Sequence, residues 1–315
     1  MTATLWELWR QDDNGNRVRI SAHASETEAG AALARFESLG HKQTYWLETR
    51  PPNVLSGTWA SGEAYDAYVG RWSRLVAREF LTWLGMPSGV RWLDVGCGTG
   101  ALSETVVGSA EPAHVYAVDR SAAFVATARG RLPTARASCV VADAQSVPLR
   151  DLSVDAVISG LVLNFVPRPE VAIGEMARVL RVDGGAAVYV WDYSGEMQLM
   201  RYFWAAAVAL SSDAAAFDEG RRFSICNPDT LETLFRSAGF REVESRAIDV
   251  PTRFRDFDDY WTPFLGGQGP GPGYVTRLSE TDRAALRERL RATLPTTADG
   301  SIPLIARAWA VRGTK

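Results

Sequence analysis

The sequence predicts an α/β fold built on a doubly wound, mostly parallel sheet. Between about residues 89 and 250, short and nearly continuous apolar runs alternate with helical patterns. A glycine-rich turn follows the first of these runs, and the first 50 residues carry a separate hairpin-and-helix pattern. Strands that are apolar along their whole length are typical of parallel sheets covered by helices on both faces.

The apolar runs define the candidate strands of this sheet. Each is five to ten residues long and is rich in valine, alanine and aromatic residues, and those before the last are followed by a turn signal or a helical pattern. The candidate strands are 90–95, 114–119, 138–142, 154–159, 186–191 and, at the end of the chain, 302–311.

Residues 1–50 are predicted to form a small β-β-α-β module. Asn14-Gly15 is a strong hairpin signal, and Ser25 followed by Glu28 fits a capping box at the start of a helix. The strand-like segments are 5–10, 17–20 and 44–48. A module of this size buries little core of its own, so we expect it to dock onto its neighbour or onto a second chain, as a homodimer.

The remaining chain is predicted to be one larger domain. Pro51-Pro52 marks a linker over residues 51–60, and the domain then spans 61–315, beginning with a helix over about 61–84. Two stretches rich in aromatic residues, near 195–226 and 252–300, interrupt the strand–helix alternation. Insertions near the carboxyl edge of a parallel sheet commonly cover a ligand, so we interpret these two as lids.

Composition excludes several classes of function. The 315 residues carry a net charge of −3 without a lysine- or arginine-rich run, which argues against a nucleic-acid partner. The three cysteines form no C-x-x-C pair, so the sequence predicts neither a disulfide framework nor a metal site. No apolar run approaches the length of a membrane span, and the first residues do not resemble a signal peptide, so we expect a cytoplasmic protein.

The glycine-rich turn is the main functional signal. It comprises Asp94-Val95-Gly96-Cys97-Gly98-Thr99-Gly100, at the junction between the first strand and a helix. Glycines there allow a tight turn and let a ligand approach the bare backbone. Gly96, Gly98 and Ala101 fit the relaxed dinucleotide fingerprint G-x-G-x-x-G/A. The alternative pattern is D-x-G-x-G-x-G.

That second pattern resembles the first motif of class I S-adenosylmethionine-dependent methyltransferases. Segments 159–166, 175–185 and 234–240 resemble later motifs of the same family, in the same order. The likeness covers roughly residues 60–250 and the final strand, and it is closest in style to the ubiquinone/menaquinone-biosynthesis type. It implies a Rossmann-like sheet of seven strands, S-adenosyl-L-methionine as cofactor and S-adenosyl-L-homocysteine as product.

The resemblance also implies a set of cofactor-binding residues. Asp119 ends the second strand and suits the ribose hydroxyls, and Asp143-Ala144 follow the third strand, where the family reads adenine. Asp94 holds the loop or contacts the ligand, and both interpretations stand. The full predicted set is Tyr68, Arg71, Asp94, Gly96, Cys97, Gly98, Gly100, Asp119, Arg120, Asp143, Ala144, Gly160 and Leu161.

Methyl transfer needs alignment more than acid–base chemistry, and a general base is required only for a protonated acceptor. Asp192 and Tyr193, just beyond the fifth strand, are the candidate bases by position, and turn and packing roles are the alternative for both. The aromatic residues of the two insertions predict a small, apolar or aromatic acceptor, although they also suit ordinary lid packing. Two alternatives stay open: a protein that binds the cofactor without methylating, and a nicotinamide oxidoreductase. The latter is disfavoured because lysine occurs only at positions 42 and 315, so no Tyr-x-x-x-Lys pair exists.

Overall fold

The computed structural model describes residues 5–11, 17–23, 25–38, 44–50, 70–266 and 269–315. The chain divides into two compact units, Met1–Ser56 and Gly57–Lys315. The predicted linker, the first part of the helix predicted over 61–84, and Tyr68 lie outside the described residues. Within the described part of the chain, no helix is both long and apolar enough to cross a membrane.

The N-terminal unit is the predicted β-β-α-β module. Its elements are β1 (Leu5–Gln11), β2 (Arg17–His23), α1 (Glu26–Glu37) and β3 (Thr44–Arg50). The three strands form an antiparallel sheet in the order β2-β1-β3. Helix α1 begins where predicted, because the Ser25 side chain accepts a hydrogen bond from the backbone N–H of Glu28.

The second unit contains the predicted seven-stranded, Rossmann-like sheet. Six strands run in one direction, and the last strand of the chain lies antiparallel between two of them. The spatial order is β6-β5-β4-β7-β8-β10-β9. The strands are β4 (Arg91–Val95), β5 (His114–Asp119), β6 (Ala137–Val141), β7 (Val154–Gly160), β8 (Leu180–Trp191), β9 (Arg241–Phe254) and β10 (Ile302–Thr314).

Helices cover the sheet and form the insertions. Several begin at side-chain caps, such as Ser121 and Asn227, which is followed by proline at the first helical position. The helices are α2 (Arg71–Leu84), α3 (Ala101–Ser109), α4 (Ala122–Arg131), α5 (Pro169–Val179), α6 (Gln198–Leu210), α7 (Glu219–Arg222), α8 (Pro228–Ser237), α9 (Phe257–Trp261), α10 (Pro270–Val275) and α11 (Glu280–Thr293).

The strand order places a switch point beside β4. From β4 the chain proceeds outward through β5 to β6, then returns to the other side of β4 as β7 and continues to β8. The connections therefore leave the carboxyl ends of β4 and β7 in opposite directions. In open α/β sheets this divergence produces the ligand-binding crevice.

The two insertions leave the same edge of the sheet, after β8 and after β9. They pack together through aromatic rings: Phe203 of α6 stacks on Phe264 at 4.3 Å, and Tyr274 of α10 lies 5.5 Å from Trp204. The second insertion begins later than the predicted residue 252. Strand β9 runs through Phe254, because its pairing with β10 extends to Ile302.

Candidate active site

The glycine-rich turn joins β4 to α3 at the switch point. Its three glycines all adopt left-handed backbone conformations, with φ of 76° at Gly96, 54° at Gly98 and 94° at Gly100. The carbonyl oxygen of Val118 in β5 accepts hydrogen bonds from the N–H groups of Gly96 and Cys97, at 2.7 and 2.9 Å. The turn is therefore tied to the neighbouring strand. Residues with a Cβ atom are strained in this left-handed conformation, so glycine is favoured at all three positions.

Gly96 and Gly98 differ in the space around the backbone: Gly96 is closely packed and Gly98 is open. A Cβ atom at Gly96 would lie 2.5 Å from both γ carbons of Val162, whereas a Cβ atom at Gly98 would meet no atom of the described residues within 4 Å. Gly96 therefore serves the packing of the turn against the segment after β7. Gly98 leaves bare backbone facing open space, which is the feature that a closely bound ligand requires.

Asp119 ends β5 next to this open position. Its Oδ2 atom accepts a hydrogen bond from the N–H of Gly98 at 3.0 Å, and its Oδ1 atom accepts one from the N–H of Ser121 at 2.8 Å. Each carboxylate oxygen has a second lone pair, so Asp119 holds the turn and can still accept hydrogen bonds from two ligand hydroxyls.

Asp94 lies beneath the turn and is buried. Its Oδ2 atom accepts a hydrogen bond from the hydroxyl of Ser103 in α3 at 2.6 Å, while its Oδ1 atom is buried and has no hydrogen-bond partner in the described part of the chain. Burial raises the pKa of this carboxyl to about 7; the Ser103 hydroxyl opposes that shift and the nearby Asp119 charge adds to it. A buried, unpartnered oxygen at this position suits a ligand donor.

The carboxyl end of β7 forms the opposite side of the crevice. The hydroxyl of Ser159 donates to the carbonyl of Val95 at 2.7 Å, which joins this end to β4. A Cβ atom at Gly160 would lie 2.5 Å from the Tyr189 hydroxyl oxygen, so glycine permits the close approach of β8 there. Leu161 then turns the chain with φ of 61°.

The remaining predicted cofactor residues lie around this crevice or outside the described side chains. Asp143 is exposed, and hydrogen bonds from the Gln145 backbone N–H and side-chain amide lower the pKa of its carboxyl. Arg120 is also exposed. Burial raises the pKa of the Cys97 thiol, which suits packing in the turn. Arg71 begins α2, but its side chain is outside the described part of the structure.

The two candidate bases differ in their surroundings. Both oxygens of Asp192 accept backbone hydrogen bonds, from Gly195 at 3.0 Å and from Glu196 at 2.9 Å, so this carboxylate caps the turn into α6. Tyr193 is buried, and its ring lies 5.5 Å from that of Phe223. Phe165, which follows β7, lies 5.4 Å from the same ring. These three rings form an aromatic cluster, Phe165–Tyr193–Phe223, near the carboxyl ends of β7 and β8.

Sequence reasoning missed four polar residues near these elements: Ser103, Asn164, Glu219 and Arg222. Ser103 lies nine residues after Asp94 in a helical pattern, and no local signal marks it as a partner. Glu219 and Arg222 have the spacing of an ordinary solvated pair on one helix face. Their burial could not be read from that spacing.

The fold and the crevice define a class of protein: a doubly wound α/β protein whose switch point forms a crevice of the kind in which nucleoside cofactors bind. The residues present fit S-adenosylmethionine. The turn offers open backbone at Gly98, Asp119 offers acceptors for ribose hydroxyls, and Asp94 holds an unpartnered oxygen beneath the turn.

Comparisons with known proteins agree with this class. Residues 93–188 match the family described as "Methyltransferase domain". A demethylmenaquinone methyltransferase of Clavibacter sepedonicus is 35% identical over 173 residues, which is 51% of this chain and 69% of that protein. A tRNA (carboxymethyluridine(34)-5-O)-methyltransferase of Mus musculus is 37% identical over 128 residues, 40% of this chain and 18% of that protein.

Solved structures show the same fold. The phosphoethanolamine N-methyltransferase 2 of Haemonchus contortus, in complex with S-adenosyl-L-methionine, superposes with a TM-score of 0.53 at 17% identity. The match covers 87% of this chain and 63% of that one. The chain belongs to the class I S-adenosylmethionine-dependent methyltransferases. Its relatives are methyltransferases of the menaquinone-biosynthesis type among others, and this family decides against the nicotinamide oxidoreductase.

The raised pKa of Asp94 predicts how stability depends on pH. The folded chain keeps this carboxyl protonated up to about pH 7, whereas the unfolded chain ionises it near its ordinary value. The unfolded state therefore binds fewer protons in this range, and stability falls as pH rises from about 4 to about 7, by on the order of 3 kcal/mol. The Asp94→Asn variant keeps an acceptor for the Ser103 hydroxyl but cannot ionise. We therefore expect it to lose the contribution of Asp94 to the slope of the free energy of unfolding against pH.

Urea unfolding across this pH range measures the effect. The exposed carboxyl of Asp213 provides the control, since Asp213→Asn is expected to leave the slope unchanged. An Asp94→Asn slope equal to that of the unmodified protein would mean that Asp94 is ionised in the fold.

Proposed function

We propose that this enzyme methylates a small, apolar or aromatic molecule, with its methyl donor held in the crevice between the carboxyl ends of β4, β5 and β7. One observation carries the proposal: the open left-handed backbone at Gly98 lies beside the Asp119 carboxylate at the switch point of the sheet. When bound, S-adenosylmethionine supplies an activated methyl group, so the protein's main task is alignment.

The predicted cofactor residues whose side chains are described have the following roles in this proposal. The glycine turn accepts the donor against bare backbone, Asp119 accepts hydrogen bonds from the ribose, and Asp143 with Ala144 meets the adenine. Asp94 orients the turn and offers its free oxygen to a ligand donor. Gly160 and Leu161 form the wall opposite the turn, and Arg120 contributes positive charge at its rim.

The acceptor is proposed to bind against the Phe165–Tyr193–Phe223 cluster. The other aromatic residues of the insertions pack largely against one another, as the stacked Phe203 and Phe264 rings show. The aromatic cluster instead joins the segments that follow β7 and β8 to the end of α7. Planar apolar molecules gain both burial and ring contacts in such surroundings.

A small acceptor is also favoured over nucleic acid. The chain carries a net charge of −3, and its arginines are dispersed rather than gathered in one run. Strong binding to a phosphate backbone requires a basic surface.

The proposal is tested by incubating the protein with methyl-labelled S-adenosylmethionine and a bacterial metabolite extract, with bulk tRNA as a parallel acceptor. We expect S-adenosylhomocysteine to form and the label to appear in small molecules that partition into organic solvent. Transfer of label to tRNA, without labelled small molecules, would refute the proposed acceptor class.

The division of the chain gives a further prediction. A chain that begins at Gly57 retains the larger unit with all of the proposed cofactor residues. Since a domain with its own core folds alone, we expect its affinity for S-adenosylhomocysteine to stay within about twofold of the full chain. Calorimetry measures this affinity, and a folded truncated chain that does not bind would place part of the site in residues 1–56. Light scattering on both chains tests the homodimer expected through the module.

A further inference from the structure

Three residues near the aromatic cluster carry buried polar atoms that lack hydrogen-bond partners among the described residues. These atoms are Oε1 of Glu219, Nη1 of Arg222, and both Oδ1 and Nδ2 of the Asn164 side chain. Glu219 is only 2% exposed. Buried polar groups in folded proteins are normally paired, so a concentration of unpaired ones indicates groups kept for a ligand.

Ring contacts bring these residues to one place. Glu219 and Arg222 lie one turn apart on α7, and the Arg222 guanidinium lies 5.3 Å from the centre of the Phe223 ring. Phe223 contacts Phe165, the residue after Asn164, and also Tyr193. Asn164 follows β7 and Tyr193 follows β8, and these strands are neighbours in the sheet. The three residues thus belong to segments that meet at the aromatic cluster, where the acceptor is proposed to bind, and Glu219 and Arg222 interact electrostatically with each other.

The Glu219 carboxyl is held in a defined position. Its Oε2 atom accepts a hydrogen bond from the indole N–H of Trp204, which leaves Oε1 as the free oxygen. Burial raises the pKa of Glu219 to about 7, so this oxygen can take up a proton near neutral pH. The charged and titratable groups around it are Asp218, Arg222 and Tyr193, and Asp218 is itself paired with Arg201 of α6 at 2.8 Å.

The other two residues supply hydrogen-bond donors for an anionic oxygen. Arg222 offers a free guanidinium N–H, and Asn164 offers its amide N–H₂. Hydrogen bonds from a charged donor to an oxygen anion are stronger than those between neutral groups. Asp192, by contrast, has both oxygens occupied by backbone N–H groups.

We propose that Glu219, Arg222 and Asn164 form the polar end of the acceptor site and select an acceptor with an acidic hydroxyl group, a phenol or an enol. This inference rests on the proposed function. Glu219 takes the hydroxyl proton, and Arg222 and Asn164 bind the oxygen anion. The electron pair of the anion, on oxygen or on a conjugated carbon, forms the bond to the methyl group. The methyl–sulfur bond breaks with its electron pair remaining on sulfur, and the proton leaves Glu219 for solvent.

The test uses two probes that share one ring. Para-nitrophenol ionises to an anion that absorbs visible light, and para-nitroanisole has the same ring without an ionisable oxygen. With the protein saturated with S-adenosylhomocysteine, we expect para-nitrophenol to bind as its anion, about tenfold or more tighter than para-nitroanisole. Equal binding of the two probes, or no binding of para-nitrophenol, overturns the proposal.

Substitutions test whether the preference for para-nitrophenol over para-nitroanisole depends on Arg222 and Asn164. Arg222→Gln and Asn164→Ala are each expected to lose most of the preference for para-nitrophenol, about tenfold for the arginine. Arg221→Gln is the matched control, because Arg221 is exposed on the same short helix, and it should keep the full preference. Retention of the preference in both site variants overturns the proposal, and the asparagine variant serves if the arginine variant fails to fold.

The role of Glu219 has its own readout. The measurement is carbon-13 NMR on protein labelled at the glutamate carboxyl groups. The signal of Glu219 is identified because it is lost in Glu219→Gln. Binding of para-nitrophenol is expected to shift this signal to the protonated form above about pH 7, because the bound anion raises the pKa of the nearby carboxyl, which then takes a proton from the phenol or from solvent. An unchanged signal overturns the assignment of Glu219. Calorimetry with S-adenosylhomocysteine distinguishes failure of the proposed function from failure of this inference. If the unmodified protein does not bind S-adenosylhomocysteine, the proposed function is refuted. If it binds S-adenosylhomocysteine normally but does not discriminate between the two probes, only this inference is refuted.

Discussion

Replacing Gly96 by alanine is expected to destabilise the larger unit by about 2–4 kcal/mol, because it adds overpacking to backbone strain. The new methyl group would lie 2.5 Å from both γ carbons and 2.9 Å from the Cβ atom of Val162. A β-branched side chain has few alternative rotamers, so Val162 cannot move aside without a shift of its backbone. The φ of 76° adds the cost of a left-handed conformation.

Two further glycines separate these causes. Gly89 has nearly the same φ, 75°, and an added Cβ atom there would meet no described atom within 4 Å. Gly89→Ala should therefore lower the free energy of unfolding by only about 1 kcal/mol, the cost of the left-handed backbone conformation alone. Gly98→Ala is also free of clashes in the protein. We expect a similarly small loss of stability there but at least about tenfold weaker S-adenosylhomocysteine binding, since the methyl group occupies the space proposed for the ligand.

Urea unfolding and calorimetry on the three variants measure these effects. A Gly96→Ala protein as stable as Gly89→Ala would show that the contact with Val162 is easily relieved. Normal binding by Gly98→Ala would move the ligand away from this part of the turn.

Replacing Asp119 by either alanine or asparagine is expected to weaken S-adenosylhomocysteine binding by about 1.5–3 kcal/mol, roughly a factor of 10–150. Alanine removes the proposed acceptor of the ribose hydroxyls. Asparagine is not a conservative replacement here, because both carboxylate oxygens accept backbone N–H groups, from Gly98 and Ser121. Whichever way the amide is oriented, its N–H₂ group faces one of these donors.

Asp143→Ala provides the comparison for this result. Asp143 is exposed and is held by Gln145, so its loss should cost about 1 kcal/mol of binding or less. Titration calorimetry of the three variants, with thermal unfolding to check the fold, gives the order of effects. Unmodified affinity in both Asp119 variants would contradict the assigned role.

Much of the fold could be predicted because its signals are local. The alternation of apolar runs with helical patterns predicted most of the sheet. The structure differs in that β8 begins at Leu180 rather than at residue 186, and in that β9, Arg241–Phe254, was not among the candidate strands. The cap at Ser25 was also predicted from neighbouring residues. Strand ends are decided by pairing with a distant partner, which explains why they were the less accurate part.

In the candidate site, too, the features set by neighbouring residues were predicted, and those set by distant residues were not. The spacing of Gly96, Gly98 and Gly100 indicated a tight turn, and all three glycines have positive φ. Their spacing does not distinguish the glycine that packs against Val162 from the one that faces open space. A turn role for Asp192 was foreseen from its position after a strand, but its partners, the N–H groups of Gly195 and Glu196, depend on how the chain leaves β8.

By itself, the sequence determined the alternation of most strands and helices, the position of the glycine turn, and the carboxylates Asp94, Asp119 and Asp143 at or just after the ends of β4, β5 and β6. These features depend on residues close together in the chain, whose spacing specifies backbone conformation. Only the tertiary structure decided which polar groups are buried and unpaired, above all Asp94, Glu219 and Arg222. Burial and hydrogen-bond partners come from segments that are distant in sequence, so the energetic state of each group is a property of the packed molecule.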